Sequence, residues 1–376
     1  MDAFLVDVVR TGRGKGRPGG ALSKHRPVEL LAWLIEALRE RWGPLDADDL
    51  VVGCVGQVGD QGSNLARLAA LWAGEDQLPG QTLNRFCASG LDAIVAAATR
   101  VAAGEGAVLA GGVEMPSRVP MFADRGAWFD DADVARRTRF MHMGASADLL
   151  AHDHQIDRDA LEAWALRSQQ RAAEASFASI VDVDGFASEE TIRPETTRET
   201  LAQLPTTYGE LLKREVARVG DVEPRHTRGT SPALADGAAV ALIANEATCR
   251  ARGWTPRAQL DGFGSVGVDP VRMLHGNPAA IRKALKRAGK TIGAMHAVEI
   301  NESFAVVPVL AQRELDLDDE ILNAWGGAIA LGHPLGATGV ILTATLLERL
   351  ETQGKTQGAV SICGGAGLAT AVIWTR

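Results

Sequence analysis

Gly106-Ala107-Val108-Leu109-Ala110-Gly111-Gly112 returns late in the chain as Gly358-Ala359-Val360-Ser361-Ile362-Cys363-Gly364-Gly365. Each reads as a short apolar strand ending in glycines. Further echoes lie around them. Ala258-Gln259-Leu260-Asp261-Gly262-Phe263 restarts the series opened by Ala3-Phe4-Leu5-Val6-Asp7-Val8, and Val298-Glu299-Ile300 takes the place of the strand at Val51. After Cys363 the chain runs at once into Leu368-Ala369-Thr370-Ala371-Val372-Ile373. The first-half counterpart, Ala238-Ala239-Val240-Ala241-Leu242-Ile243, arrives only after a long detour. Similarity at one long offset suggests duplicated domains rather than a solenoid. The alternative is one multilobed domain whose echoes are coincidences of small residues.

Between these runs the apolar period changes from strand to helix and back, the pattern of a layered α/β protein. Pro27 to Trp42 reads as an amphipathic helix begun by proline, Leu50 to Val55 as a strand, Asn64 to Trp72 as a helix and Gln81 to Asn84 as a short strand. The expected organisation is a first domain of residues 1–117 with 234–255, an inserted loop domain of 118–233, and a second domain of 256–376. The insertion is richer in charge, holds a helix from Trp164 to Phe177, and has the length at which insertions carry binding function.

The chain has 376 residues, enough for more than one core, and is 46% hydrophobic and 23% charged. A formal charge of −8 argues against a nucleic-acid or membrane-surface partner, which would need a basic face. Local arginines, Arg136, Arg137 and Arg139 or Arg225 and Arg228 beside His226, remain able to serve a small polyanion, or are simply solvated surface. Four cysteines make no disulfide framework, and none lies in a Cys-x-x-Cys pair. With neither a signal-peptide pattern nor an apolar run of transmembrane length, the expected location is the reducing cytoplasm.

Cys87 stands in Asn84-Arg85-Phe86-Cys87-Ala88-Ser89-Gly90, just ahead of the buried-helix run Leu91 to Ala98. A cysteine at a helix start feels the positive end of the dipole, which favours the thiolate. Ser89 and Gly90 leave room for another group to approach. The plainer reading is a packed core cysteine. Three segments of the second half add polar groups at strand ends, where α/β sites lie: Asn301-Glu302-Ser303-Phe304-Ala305, Gly332-His333-Pro334-Leu335-Gly336-Ala337-Thr338-Gly339 and Cys363-Gly364-Gly365-Ala366-Gly367. Singly, each glycine cluster is explained by a tight turn and the histidine by the approach to a helix.

Together they resemble the four signatures of the thiolase family: Asn-Arg-x-Cys-x-Ser-Gly at Cys87, Asn-Glu-x-Phe-Ala at Asn301, Gly-His-Pro-x-Gly-x-x-Gly at His333 and Cys-Gly-Gly-x-Gly at Cys363. The match runs in order across essentially the whole chain. It implies duplicated mixed-sheet domains in an α/β/α/β/α arrangement with an inserted loop domain. It also implies an acyl-CoA C-acyltransferase of fatty acyl metabolism and β-oxidation, with coenzyme A as substrate and no permanently bound cofactor or metal. By resemblance Cys87 carries the acyl group, His333 draws off its proton, and Cys363 is the acid/base of the carbon–carbon step. Negative charge on the substrate oxygen is met by His333 and a water held on Asn301, and on the acyl oxygen by the backbone N–H groups of Cys87 and Gly365. His142, Met143 and Ser231 are expected to contact coenzyme A.

Some positions depart from the family pattern. Ser303 stands where alanine is common, Pro232 where many members have a serine near coenzyme A, and Gly12 where proline often follows Arg-Thr. Met121 to Phe140 matches poorly to the loop that makes some members tetramers, so of homodimer and homotetramer the dimer is expected. Gly12-Arg13-Gly14-Lys15-Gly16 lacks Walker spacing and reads as a basic turn. His152-Asp153-His154 reads as the end of a surface helix rather than a metal site. Two other functions compete. A ketoacyl synthase-like condensing enzyme would lack the second thiol, Cys363, and a non-catalytic acyl-CoA or sterol carrier would not require all four site residues.

Overall fold

The echoes in sequence are echoes in space. The computed structural model describes residues 1–376. The first half runs through β1 (Phe4–Arg10), a short β2 (Gly14–Lys15), α1 (Pro27–Trp42), β3 (Asp49–Gly53), α2 (Leu65–Trp72), β4 (Gly80–Leu83), α3 (Ser89–Ala102) and β5 (Ala107–Glu114). Six helices follow before the sheet resumes: α4 (Ala127–Asp130), α5 (Ala132–Arg137), α6 (Met143–Asp153), α7 (Arg158–Glu174), α8 (Arg198–Ala202) and α9 (Gly209–Val219). Then β6 (Ala235–Ala244) and α10 (Glu246–Arg252) close the half. The second half contains β7 (Ala258–Gly267), α11 (Asn277–Ala288), β8 (Ala297–Ile300), α12 (Val306–Leu315), α13 (Ala328–Leu331), α14 (Thr338–Thr352), β9 (Gln357–Gly364) and β10 (Leu368–Thr375).

The strands order as β4-β3-β5-β6-β1-β7-β10-β9-β8, with β2 paired to β6. Reading outward from the centre, β1-β6-β5-β3 is matched by β7-β10-β9-β8, and the parallel pair β3/β5 by the parallel pair β8/β9. The halves are joined at only two paired positions, Phe4 with Gln259 and Leu5 with Ala258. The correspondence fails at one edge. The place of β4 is taken in the second half by a single bridge, Val298 with Leu322.

The layers follow from the two-residue period of a strand. In the first half Val51, Val108 and Ala110 face α3 and α14, while Leu50, Val52 and Leu109 face α1 and α2. In the second half Val360 and Ile362 face the same central pair, and Ala359 and Cys363 turn the other way, towards α11 and α12. The central helices therefore lie between two sheet halves that are themselves covered outside, giving α/β/α/β/α. A helix covered on every side must be apolar all round, and α3 buries Leu91, Ala93, Ile94, Val95, Ala97, Ala98 and Val101.

The two central helices approach most closely at their first turns. A Cβ on Gly339 would stand 2.2 Å from the Leu91 nitrogen, and one on Gly90 2.5 Å from the Gly336 oxygen. That approach sets the loops before α3 and α14 side by side, and those loops carry Cys87 and His333. Gly339→Ala is expected to force the helices apart and to destabilise the fold by about 1–3 kcal/mol. A fall in the denaturant midpoint at unchanged slope checks this.

Several sequence expectations are corrected here. The helix expected from Trp164 to Phe177 begins earlier, at Arg158, because the Asp157 side chain caps it by accepting from the Ala160 N–H at 2.9 Å. The helix ending at His152-Asp153 is no surface helix: α6 is buried from Gly144 to Ala151, with its end exposed at His152 and Asp153 paired to Arg272. Arg13 of the basic turn is buried. It is 2% exposed and forms a buried cluster with Arg10 and Glu189 that ties the inserted segment to β1 and holds the Glu189 carboxyl down at about 2 against its burial. Arg225 donates to the Ala151 and Ile156 carbonyls and His226 bonds Asp148, so both hold the insertion together.

Candidate active site

The turn from β4 into α3 is unusual in its backbone. Phe86 has φ +48°, a left-handed conformation that is costly for a bulky residue. It is held from both sides. The Asn84 side chain accepts from the Phe86 N–H at 2.7 Å, and Ser89 Oγ accepts from the Arg85 N–H at 2.8 Å. The Asn-Arg-x-Cys-x-Ser frame thus builds a sharp turn with Cys87 at its crest, two residues before the helix begins. The Cys87 N–H has no backbone carbonyl partner.

The thiol does not behave as its place near a helix start suggests. Burial, first, and then the neighbouring Cys363 and Glu114 push Cys87 up to about 12. Such a rise costs the thiolate roughly 4 kcal/mol, whereas a helix terminus returns about 0.3–1 kcal/mol. Desolvation wins. The expectation of a helix-stabilised thiolate is therefore corrected: Cys87 rests as a thiol, and nucleophilic attack requires a base.

His333 supplies a ring in the same chamber. Its loop is anchored by the His333 N–H donating to Ala233 O at 2.8 Å and by the Gly336 N–H donating to Glu114 Oε2 at 3.0 Å. Nδ1 lies 2.8 Å from Thr338 Oγ1, and the buried Nε2 has no partner in the protein. Burial and the positive charge of Arg13 hold His333 down at about 3, so the ring is neutral at physiological pH. With Nδ1 donating to Thr338, Nε2 presents a free lone pair.

Cys363 is the penultimate residue of β9, whose end lies against the Cys87 turn: a Cβ on Gly364 would come within 3.4 Å of the Cys87 nitrogen. Burial pushes the Cys363 thiol up, while the nearby Ser303 hydroxyl and Asn277 side chain act the other way. Asn301 is buried and donates through Nδ2 to Ser303 Oγ at 2.8 Å, which leaves its Oδ1 without a partner. Ser303 Oγ is also 3.3 Å from Cys363 Sγ. Accepting from Asn301, the hydroxyl has its proton free for the Cys363 sulfur. A hydrogen bond to a charged group contributes about 1.5–3 kcal/mol. Ser303→Ala is therefore expected to raise the Cys363 thiol further, moving any activity limb that needs the Cys363 thiolate to higher pH by about one unit. A pH–rate profile unchanged by the substitution would remove Ser303 from this role.

Cys87, His333 and Cys363 line one chamber with His142, Met143, Ser231 and Pro232, and Tyr208, Leu274 and Phe304 add to its walls. Asn301 does not reach this surface itself and meets it through Ser303. His142 caps α6, its Nδ1 accepting from the Gly144 N–H, and Tyr208 packs on Gly144 and bonds Ser231. The Ser231 hydroxyl donates to Thr227 O, so its proton is already committed where Pro232 supplies none.

Sequence reasoning missed Glu114, Asn277, Thr338 and Tyr208. Glu114 is the most consequential. Its carboxylate accepts from the Val55 and Gly56 N–H groups, the Gln61 amide and the Gly336 N–H, so one buried group staples the strand end at β3 to the His333 loop. An acid closing an apolar strand was the one available signal. Glu302 plays a comparable part opposite, accepting from Trp164, Ser168 and the Ile329 N–H.

Two thiols, a neutral histidine with a free ring nitrogen and a glycine turn at the foot of a chamber are chemically able to transfer an acyl group. Family models place the chain further: residues 3–247 match the thiolase N-terminal domain and residues 254–376 the thiolase C-terminal domain. The chain belongs to the thiolase family and is an acyltransferase. It is 36% identical to a 3-ketoacyl-CoA thiolase of Colwellia psychrerythraea and 37% identical to a beta-ketoadipyl-CoA thiolase of Pseudomonas aeruginosa, each match covering 100% of this chain and 99% of the relative. Among solved structures it is similar to the human mitochondrial 3-ketoacyl-CoA thiolase, with 31% identity and a TM-score of 0.86, over 100% of this chain and 98% of that one. The acetyl-CoA acetyltransferase of Bacillus anthracis gives the same identity and TM-score over 99% and 98%.

Proposed function

We propose that the protein cleaves 3-ketoacyl-CoA with a second coenzyme A, or runs the reverse condensation, through an acyl group carried on Cys87. As the Cys87 sulfur attacks the 3-keto carbon, its proton passes to His333 Nε2. The C2–C3 bond breaks, and the Cys363 thiol protonates the acetyl-CoA carbanion. The proton on His333 then restores the Cys363 thiol. The incoming coenzyme A thiol gives its proton to His333 and takes the acyl group, and Cys87 leaves and recovers that proton. Atoms balance as 3-ketoacyl-CoA plus coenzyme A giving acyl-CoA plus acetyl-CoA. Charge on the acyl oxygen falls to the Cys87 and Gly365 N–H groups, and on the thioester oxygen to His333 and a water on Asn301 Oδ1.

The observation that carries this reading is the shared chamber, in which two thiols and an unpartnered histidine nitrogen meet the His142–Met143 wall. Incubation with acetyl-CoA followed by digestion and mass spectrometry tests it. An acetyl group on Cys87 is expected, and acetylation confined to Cys54 or Cys249 overturns it.

We also read the chain as the three domains given above, with coenzyme A passing His142, Met143 and Ser231. A homodimer is supported by β4, an edge strand left half-exposed beside α2, which presents Leu68, Leu71 and Trp72 to solvent. Sedimentation equilibrium distinguishes one, two and four chains. A reducing, cytoplasmic location is supported by four cysteines that are all free, two of them in the site.

A further inference from the structure

The segment Met121 to Phe140 folds against the far side of Cys87. There it closes a second chamber. This one shares Cys87, Met121, Met143 and Leu335 with the first but reaches neither His333 nor Cys363, and it includes Gly365. Its wall is aromatic. The Trp128 ring lies 5.1 Å from Phe86 and 4.9 Å from Phe140, centroid to centroid, and Phe122 meets Phe129 edge-on at 4.6 Å. Trp128 also lies over the glycine turn, where a Cβ on Gly365 would come within 3.1 Å of its ring.

The charges in this chamber are both negative. Glu114 and Asp124 line it, and no lysine, arginine or histidine does. The Glu114 oxygens already accept from four N–H donors, and an ionised carboxylate has no proton to give a second one.

We propose that this chamber receives the acyl group carried by Cys87, and that its aromatic wall selects uncharged acyl groups bulkier than acetyl, ring-bearing or branched, and rejects those ending in a carboxylate. The inference rests on the function proposed above. With the acyl oxygen held between the Cys87 and Gly365 N–H groups and coenzyme A on the His333 side, the acyl substituent is directed past Gly365 onto Trp128. Rings packed at edge-on and tilted angles accept a further ring or branch in the same geometry. A terminal carboxylate gains no cation there and meets two like charges.

CoA-dependent cleavage of four compounds tests this: acetoacetyl-CoA, 3-keto-4-methylpentanoyl-CoA, 3-keto-3-phenylpropionyl-CoA and 3-ketoadipyl-CoA. The phenyl compound gives benzoyl-CoA and acetyl-CoA by breaking the same C2–C3 bond. Its kcat/KM and that of the branched compound are expected to exceed acetoacetyl-CoA by about tenfold or more, and 3-ketoadipyl-CoA to fall about a hundredfold below the phenyl compound. Trp128→Ala is expected to lower the phenyl-to-acetoacetyl ratio about tenfold, while Trp128→Phe keeps most of it. The wild-type ranking decides the matter even if a variant fails to fold. Acetoacetyl-CoA ranking first, or 3-ketoadipyl-CoA matching the phenyl compound, overturns the chamber's role while Cys87 acylation stands. No acyl group on Cys87 with any of the four overturns the proposed function and this inference with it.

Discussion

Cys87→Ala is expected to lower thiolysis by roughly four orders of magnitude or more, with little change in the folded state. On the proposed mechanism the loss is large because the site is built around a nucleophile that is made on demand. Held up at about 12, the thiol is almost wholly protonated at neutral pH. Its attack requires a base in the same dry chamber, and His333, held down at about 3, is neutral throughout the physiological range. The sign matters for the pH profile. A histidine with a lowered value loses its basic form only near that value, so acylation of the wild type is expected to show no inflection from His333 between pH 5 and 8. The alanine variant retains both sets of oxyanion donors but has nothing to hold the acyl group. Release of product in a pre-steady-state burst checks this, and a burst of undiminished size in the variant would disprove the role.

The Cys363→Ala variant is expected to separate two steps that the wild type performs together. Transfer of acetyl from acetyl-CoA to Cys87 needs Cys87, His333 and the oxyanion donors, and should continue. Breaking or making the carbon–carbon bond needs a proton given to or taken from the α-carbon, and should fall by about 10²–10⁴-fold. Exchange of the acetyl-CoA methyl protons with solvent should fall with it. Equal loss of acylation and carbon–carbon chemistry would count against an acid/base role. The geometry supports separability, since Cys363 faces Ser303 and Asn277 while His333 bonds Thr338.

Much of this centre is legible in the sequence because each functional residue sits beside the residues that shape its turn. Asn84 and Ser89 bracket Cys87, and glycines follow both His333 and Cys363. The repeated apolar strands at Val108 and Val360 likewise give the duplication away. What stays hidden is whatever depends on long-range approach. Glu114 looks like any acid at a strand end until Gly336 is brought to it. The resting state of Cys87 was misread because a local cue, the helix start, carries less free energy than the burial imposed by distant elements. Trp128 lies in the short helix α4, whose position over Gly365 no local pattern encodes.

The glycine crossing of α3 and α14 has a consequence for inheritance. Cys87 and His333, the proposed nucleophile and base, come from different halves of the chain, so neither half holds both. A hybrid gene joining residues 1–255 of this chain to the second half of a relative would draw its cysteine from one parent and its histidine from the other. Whether such a hybrid turns over would hang less on those two residues, which both parents supply, than on the seam. Gly90 must find Gly336, Leu91 must find Gly339, and Glu114 must find an N–H at position 336. Compatibility between halves is therefore a property of a handful of backbone contacts, and breeding or recombination experiments would be reading those contacts.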